Sequence, residues 1–310
     1  FDVDLIIYPI ISTVLSEGAE AAASPVIMST NDGRPIVGMV HLTDKYNFEK
    51  KNAKYYFQIL LFHELSHVLG FNNKYFTLNQ KNVVINGANR TLLTFPTLVK
   101  KAKEYFGCSS LEGVEVENQG GEGTAGSHWE ARTMYGDYMI GAEIGEHAIS
   151  ELTLAVFEDL GWYEINYYTG GLFRFGKNQG CNFLNNNCIS DEKSNFPNEF
   201  CYTYGSAKCF PSRTSRGYCY ITSYNADLAQ NYQYFPSLGG KVGGYLYADY
   251  CPIPFSDKNE SIHYQDSCSA GEKKQETDII GDESFCFIST LAQNQNEKSK
   301  KNLKVYSSCN

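Results

Sequence analysis

The chain has 310 residues, 42% of them hydrophobic, enough for a sizeable buried core and for two or three lobes. Charged residues make up 20% of the sequence, which argues against wholesale disorder; a net charge of -9 with no Lys/Arg patch argues against a nucleic-acid binder. No run approaches the ~18–20 continuous apolar residues of a membrane span.

Residues 2–8 open with alternation and continue into Leu5-Ile6-Ile7-Tyr8, which predicts a strand. Residues 11–23 are Ala-rich and free of proline and predict a helix. Residues 25–43 read as two strands around the turn Asn31-Asp32-Gly33. Over 55–70, Phe57, Leu60, Leu61, Leu65, Val68 and Leu69 recur at helical spacing, and Gly70 supplies a stop. Val83-Val84-Ile85-Asn86-Gly87 and Thr91-Leu92-Leu93-Thr94 predict two strands joined by a turn. Residues 97–106 predict an amphipathic helix ended by Gly107, and Gly120-Gly121-Glu122-Gly123 a loop. The acidic stretch 112–122 reads as a solvated strand and loop. Residues 150–160 form a further helix, with Ser150 as N-cap and Gly161 beyond its end.

Near Gly170 the composition shifts to dense Cys, Asn, Tyr and Gly, which places a domain boundary there. Nine of the ten cysteines fall at or after Cys181 and none forms C-x-x-C. Disulfides in an oxidising compartment explain this better than metal or redox chemistry. The Asn-rich segment between Cys181 and Cys188 is expected to be a disulfide-tethered turn. The 23 tyrosines and 19 phenylalanines are read as core and loop packing. Segment 257–302, rich in Glu, Lys, Gln and Asn, is expected to be solvated loop or short helix. Two sequons, Asn89-Arg90-Thr91 and Asn259-Glu260-Ser261, are compatible with secretion. The chain lacks an initiator methionine and a signal-peptide pattern, so it is expected to be a mature or excised portion of a longer precursor.

The chemistry sits in His63-Glu64-Leu65-Ser66-His67. On a helix, positions i and i+4 share a face, so two imidazoles from one rigid element can reach one ion, with Glu64 beside it as a base. A catalytic zinc takes three protein ligands and leaves one position open. In the common extended pattern the third ligand lies three residues after the glycine; that position is Asn73 here. The residues alone leave His41, His128, His147 and His263 as candidates.

Gly126-Ser127-His128-Trp129-Glu130 resembles the third-ligand motif of the leishmanolysin (major surface protease) family, in which an insertion separates the helix from the third histidine. Asp32-Gly33-Arg34-Pro35, Phe95-Pro96-Thr97, Cys108-Ser109-Ser110-Leu111-Glu112-Gly113, Asp137-Tyr138-Met139, the run 152–163 and, more loosely, Ala248-Asp249-Tyr250-Cys251-Pro252 are also similar to that family. The resemblance covers residues 1–190 well and continues loosely through the cysteine-rich part.

It implies an α+β fold with a metzincin-like N-terminal sheet and active-site helix (1–70), an inserted central part with the third ligand and the Met-turn (71–170), and a disulfide-rich, mainly irregular or β part (171–310). By the same resemblance His63, His67 and His128 hold one zinc ion and Glu64 is the general base. Met139, rather than the nearer Met134, forms the Met-turn beneath the metal. Some metzincins carry a helping tyrosine two residues past that methionine; here the position is Gly141. The implied activity is an extracellular or cell-surface zinc endopeptidase acting on proteins or peptides, which pair with an edge strand of the N-terminal sheet. Any membrane attachment would lie outside this segment. The alternative is a surface adhesion or binding protein that keeps a protease fold. Around Ser24-Pro25 there is no cysteine where family members often have one, which leaves Cys108 with a different partner or free.

Overall fold

The computed structural model describes residues 3–12, 15, 19–44, 53–121, 123–142, 146–169, 171–255, 267–269, 271, 278–289 and 306–309. Within these, the chain is α+β, with small sheets, mostly short helices and five disulfides. The sequon at Asn259, His263 and most of segment 257–302 lie outside the described residues.

Strands β1 (Ile6–Ser12), β2 (Ala21–Met28) and β3 (Pro35–Thr43) form one sheet in the order β1-β3-β2. β1 runs parallel to β3, from Ile6↔Val37 to Ser12↔Thr43, and β2 is antiparallel to it, starting at Ala21↔Leu42. The strand expected over 2–8 therefore sits a few residues later. The helix expected over 11–23 is not seen among the described residues: 11–12 close β1 and 21–23 open β2, while 13–14 and 16–18 are not described. Alanine's helix preference over other residues is only ~0.7 kcal/mol or less. Each ladder hydrogen bond that Ala21–Ala23 make with β3 contributes about 0.5–1.5 kcal/mol, and pairing wins.

Helix α1 (Ala53–Leu69) packs across β2 and β3. A Cβ on Gly38 of β3 would lie 2.2 Å from Val68 Cγ1, so the absence of a side chain there is what lets helix and sheet approach. A short turn of helix, α2 (Asn73–Phe76), follows, capped by the Asn72 side chain on Lys74 N. β4 (Gln80–Ile85) and β5 (Ala88–Leu93) form the expected hairpin over Asn86-Gly87, both at positive φ. Helix α3 (Pro96–Phe106) ends at Gly107 as expected. Its N-terminus is capped from outside: Asp159 accepts from Thr97 N at 3.0 Å and Leu98 N at 2.9 Å. β6 (Val114–Val116) joins β5 and completes the sheet β4-β5-β6. After α4 (Ala131–Met134) comes α5 (Glu151–Asp159), where Ser150 Oγ accepts from Thr153 N at 3.1 Å, the expected N-cap.

The main core joins α3 and α5 through Leu98, Ala102, Phe106, Leu152, Ala155 and Val156, and continues into the cysteine-rich part. Phe106 stacks on Phe183 and Tyr135 on Phe210, so the aromatic richness is packing, as read. All ten cysteines are paired, as 108–181, 188–251, 201–219, 209–286 and 268–309. Cys108 thus has a partner, Cys181. The segment between Cys181 and Cys188 is tethered by a disulfide at each end, but it opens with a short helix, α6 (Cys181–Asn185), rather than a turn.

The acidic stretch 112–122 requires a second correction. It does supply β6, but Glu115 and Glu117 are buried, not solvated. Two arginines that lie outside that stretch, Arg90 and Arg132, pair with Glu115. Pairing of this kind is the condition for burying a carboxylate.

Candidate metal centre

The last two turns of α1 bury Glu64 and His67 and leave His63 half-buried. The third imidazole arrives by way of the inserted sheet. Beyond β6, Glu117 N donates to His128 O at 2.9 Å and Glu130 N to Glu115 O at 3.1 Å, so residues 128–130 lie as a strip along the extension of β6. On its other side the strip is stitched to the segment holding Met139: Trp129 N donates to Met139 O at 2.9 Å. The segment that separates His128 from the helix in sequence is what brings it back in space.

The three Nε2 atoms meet. His63 and His67 are 3.0 Å apart there, His63 and His128 3.1 Å, and His67 and His128 3.1 Å. Every Nδ1 faces a backbone carbonyl: Tyr138 O at 2.7 Å for His63, Phe71 O at 2.7 Å for His67, Thr124 O at 2.9 Å for His128. A carbonyl only accepts, so each Nδ1 carries the proton and each neutral ring presents a bare lone pair at Nε2. Burial depresses all three imidazoles, His128 to about 3; for His67 the neighbouring His63 and His128 add to the effect. The rings are therefore held neutral, the form that binds metal. Three lone pairs converging with no proton among them repel one another unless a cation lies between. Donors at ~2.0–2.1 Å from one zinc have mutual spacings close to these. The residues fit the metal.

Glu64 is 4% exposed and its Oε2 has no hydrogen-bond partner. Burial raises its carboxyl to about 7. Met139 is fully buried, with its N–H donated to Asp137 Oδ1 at 2.7 Å. Asp137 also accepts from Thr153 Oγ1 at 2.8 Å, and Thr153 Oγ1 accepts from Trp129 Nε1 at 2.7 Å, so one buried carboxylate braces the turn and the neighbour of His128. Met134 is equally buried, one turn earlier in α4. At Gly141 a Cβ would lie 2.6 Å from Thr124 Cγ2 and 3.5 Å from the His128 ring, so this position has no room for a tyrosine. Of the other histidines, His41 sits beside Met39 Sδ in the N-terminal sheet, and neither it nor His147 belongs to the imidazole group.

The sequence reading did not single out Tyr138 as a brace. Its carbonyl holds His63 and its hydroxyl bonds Ser66 Oγ at 2.8 Å, tying the segment before Met139 to the helix between His63 and His67. Nor did it detect the buried ionic group of Arg90, Arg132, Glu115, Glu130 and Asp249. Tyr138, Glu130 and Asp249 lay within segments of the resemblance, but nothing in those segments marked these roles.

Two imidazoles one helical turn apart, a third from a distant strip and a buried carboxylate beside them form a group whose donors suit a single metal ion. The chain belongs to the leishmanolysin family, whose model matches residues 1–310. It is 34% identical over 262 residues to the leishmanolysin homolog of Crithidia fasciculata, covering 80% of this chain and 38% of that protein. It is 31% identical over 291 residues to leishmanolysin of Leishmania tropica, covering 92% and 43% respectively. A leishmanolysin-like peptidase of Caenorhabditis elegans is 34% identical over 227 residues, covering 63% and 34%. The matched part is thus under half the length of each of these relatives.

Proposed function

We propose that this chain is a zinc-dependent endopeptidase in which His63, His67 and His128 hold one zinc ion through Nε2 and Met139 forms the supporting turn beneath them. Zinc held there supplies the charge that brings the pKa of water to ~7 and polarises a scissile carbonyl. Glu64 takes the proton of the attacking water on its unpartnered, buried Oε2 and passes it to the departing amine. The carbonyls of Tyr138, Phe71 and Thr124 keep the three rings in the metal-binding tautomer throughout. An extended protein or peptide substrate pairs with an edge strand of the N-terminal sheet, where β2 lies against α1. Five disulfides support an extracellular or cell-surface location. No helix among the described residues is long and apolar enough to cross a membrane.

The observation that carries this reading is the convergence of three Nε2 lone pairs whose Nδ1 protons are all engaged elsewhere. The test is cleavage of an unfolded protein by the zinc-loaded chain, with and without a zinc chelator. Cleavage that stops on chelation and returns with zinc is expected. Chelator-insensitive cleavage removes the metal from the mechanism, and no cleavage by folded, zinc-loaded protein favours the binding role over the enzymatic one.

A further inference from the structure

Beneath the strip that carries His128 lies a buried ionic network. Arg90 and Arg132 are 4% and 2% exposed, and the carboxylates of Glu115, Glu117, Glu130 and Asp249 are all similarly buried. Arg90 reaches Glu115 at 2.7 Å and contacts Asp249; Arg132 reaches Glu115 at 2.9 Å and Asp249 at 3.6 Å. Three of the four carboxylates belong to β6, its extension and the strip. The fourth, Asp249, comes from the cysteine-rich part.

Asp249 also connects to the strip by a second route. Its Oδ1 accepts from Gln119 Nε2 at 3.0 Å. Gln119 N donates to Glu117 Oε1 at 2.7 Å, and Glu117 N donates to the carbonyl of His128 at 2.9 Å. On the other flank, Glu115, clamped by both arginines, accepts from Glu130 N through its carbonyl. Asp249 thus connects to the carbonyl of His128 itself by one route and to Glu130, two residues on, by the other.

The oxygens of Glu115, Glu130 and Asp249 lie within 4.8 Å of one another, a spacing that would also suit a cation. The Arg90 guanidinium already meets two of these carboxylates and lies 4.0 Å from the third, so it serves as their cation and the group is not a second metal site. Asp249 adopts φ 52, a left-handed conformation in which Asp and Asn are enriched among residues with a side chain. Two residues on, Cys251 is tied to Cys188. The anion is delivered from a fixed base.

We propose that Asp249 is a positioning residue for the third metal ligand: the cysteine-rich part supplies the anion that fixes the strip bearing His128. The inference rests on the reading of the three histidines as a zinc site. Groups that orient a ligand from behind typically cost ~10–100-fold in metal affinity when removed. Asp249→Asn keeps shape and backbone preference and removes only the charge.

The test uses the 310-residue chain and zinc itself, with affinity measured by chelator competition, melting temperature, and the visible spectrum of the cobalt-loaded form. Asp249→Asn is expected to weaken zinc binding ~10–100-fold and to shift the cobalt spectrum. The control is Asp278→Asn, which removes the buried partner of Arg216 elsewhere in the cysteine-rich part. It is expected to lower the melting temperature and leave zinc affinity unchanged. If Asp249→Asn does not fold, Gln119→Ala breaks the second route alone and is expected to cost about 10-fold in zinc affinity. Wild-type affinity in Asp249→Asn or, failing its folding, in Gln119→Ala overturns the proposal, and so does an equal loss in Asp278→Asn. Absence of zinc binding by the folded wild-type chain overturns the metal-site reading itself, and this inference with it.

Discussion

Glu64→Gln keeps the size of a side chain that is 4% exposed and removes its ability to take a proton. General-base catalysis contributes ~10²–10⁴-fold, which corresponds to about 3–5 kcal/mol of barrier. Because Glu64 is not among the converging donors, zinc stoichiometry is expected to stay at the wild-type value while turnover of an unfolded protein falls by that factor. The same substitution has a signature in the metal-free protein. Burial raises the Glu64 carboxyl from 4.5 to about 7, so the fold favours its protonated form. Its contribution to stability is complete below the unfolded value and is lost as pH rises through about 7. The loss amounts to ~3 kcal/mol in the chelated wild type and is absent in the amide. The difference between the two chelated proteins in how melting changes from pH 5 to pH 8 reads this, because the three buried imidazoles contribute alike to both. Cleavage by zinc-loaded Glu64→Gln within tenfold of wild type would refute the base assignment, and an unchanged pH dependence of melting would refute the burial argument.

His128→Ala removes one of the three converging nitrogens and is expected to weaken zinc binding by more than the ~10–100-fold typical of a supporting group; metal analysis showing unchanged zinc per chain would exclude the residue from the site. Replacing Cys108 and Cys181 together by alanine opens a loop of 73 residues and is expected to cost ~4 kcal/mol, read as a fall in denaturation midpoint. A double variant as stable as wild type would show that the bridge adds nothing to the fold.

The elements legible in the sequence are those whose signals are local. Helix α1 follows from apolar residues at helical spacing, and the HExxH pair from the geometry of one turn of that helix. The β4-β5 hairpin follows from Asn86-Gly87, and the start of α5 from Ser150. Residues 11–12 and 21–23 are strand rather than helix because an Ala-rich run has only a weak preference of its own, which the partner strand β3 overrides. The burial of the acidic stretch is not legible locally because the positive charges that pair with Glu115 belong to Arg90 and Arg132, neither of them its sequence neighbour.

By itself the sequence determined the histidine pair one turn apart, the glutamate beside it, the helix that carries them and the disulfide character of the cysteines, because each depends on residue type and short spacing. Composition and periodicity left four histidines open as the third donor, and only the resemblance singled out His128. The tertiary structure decided the convergence of His128 with His63 and His67, the carbonyls that set each ring's tautomer, the pairing of the cysteines and the counter-charges beneath the strip. Each of those joins groups distant along the chain, and only chain folding brings them within bonding distance.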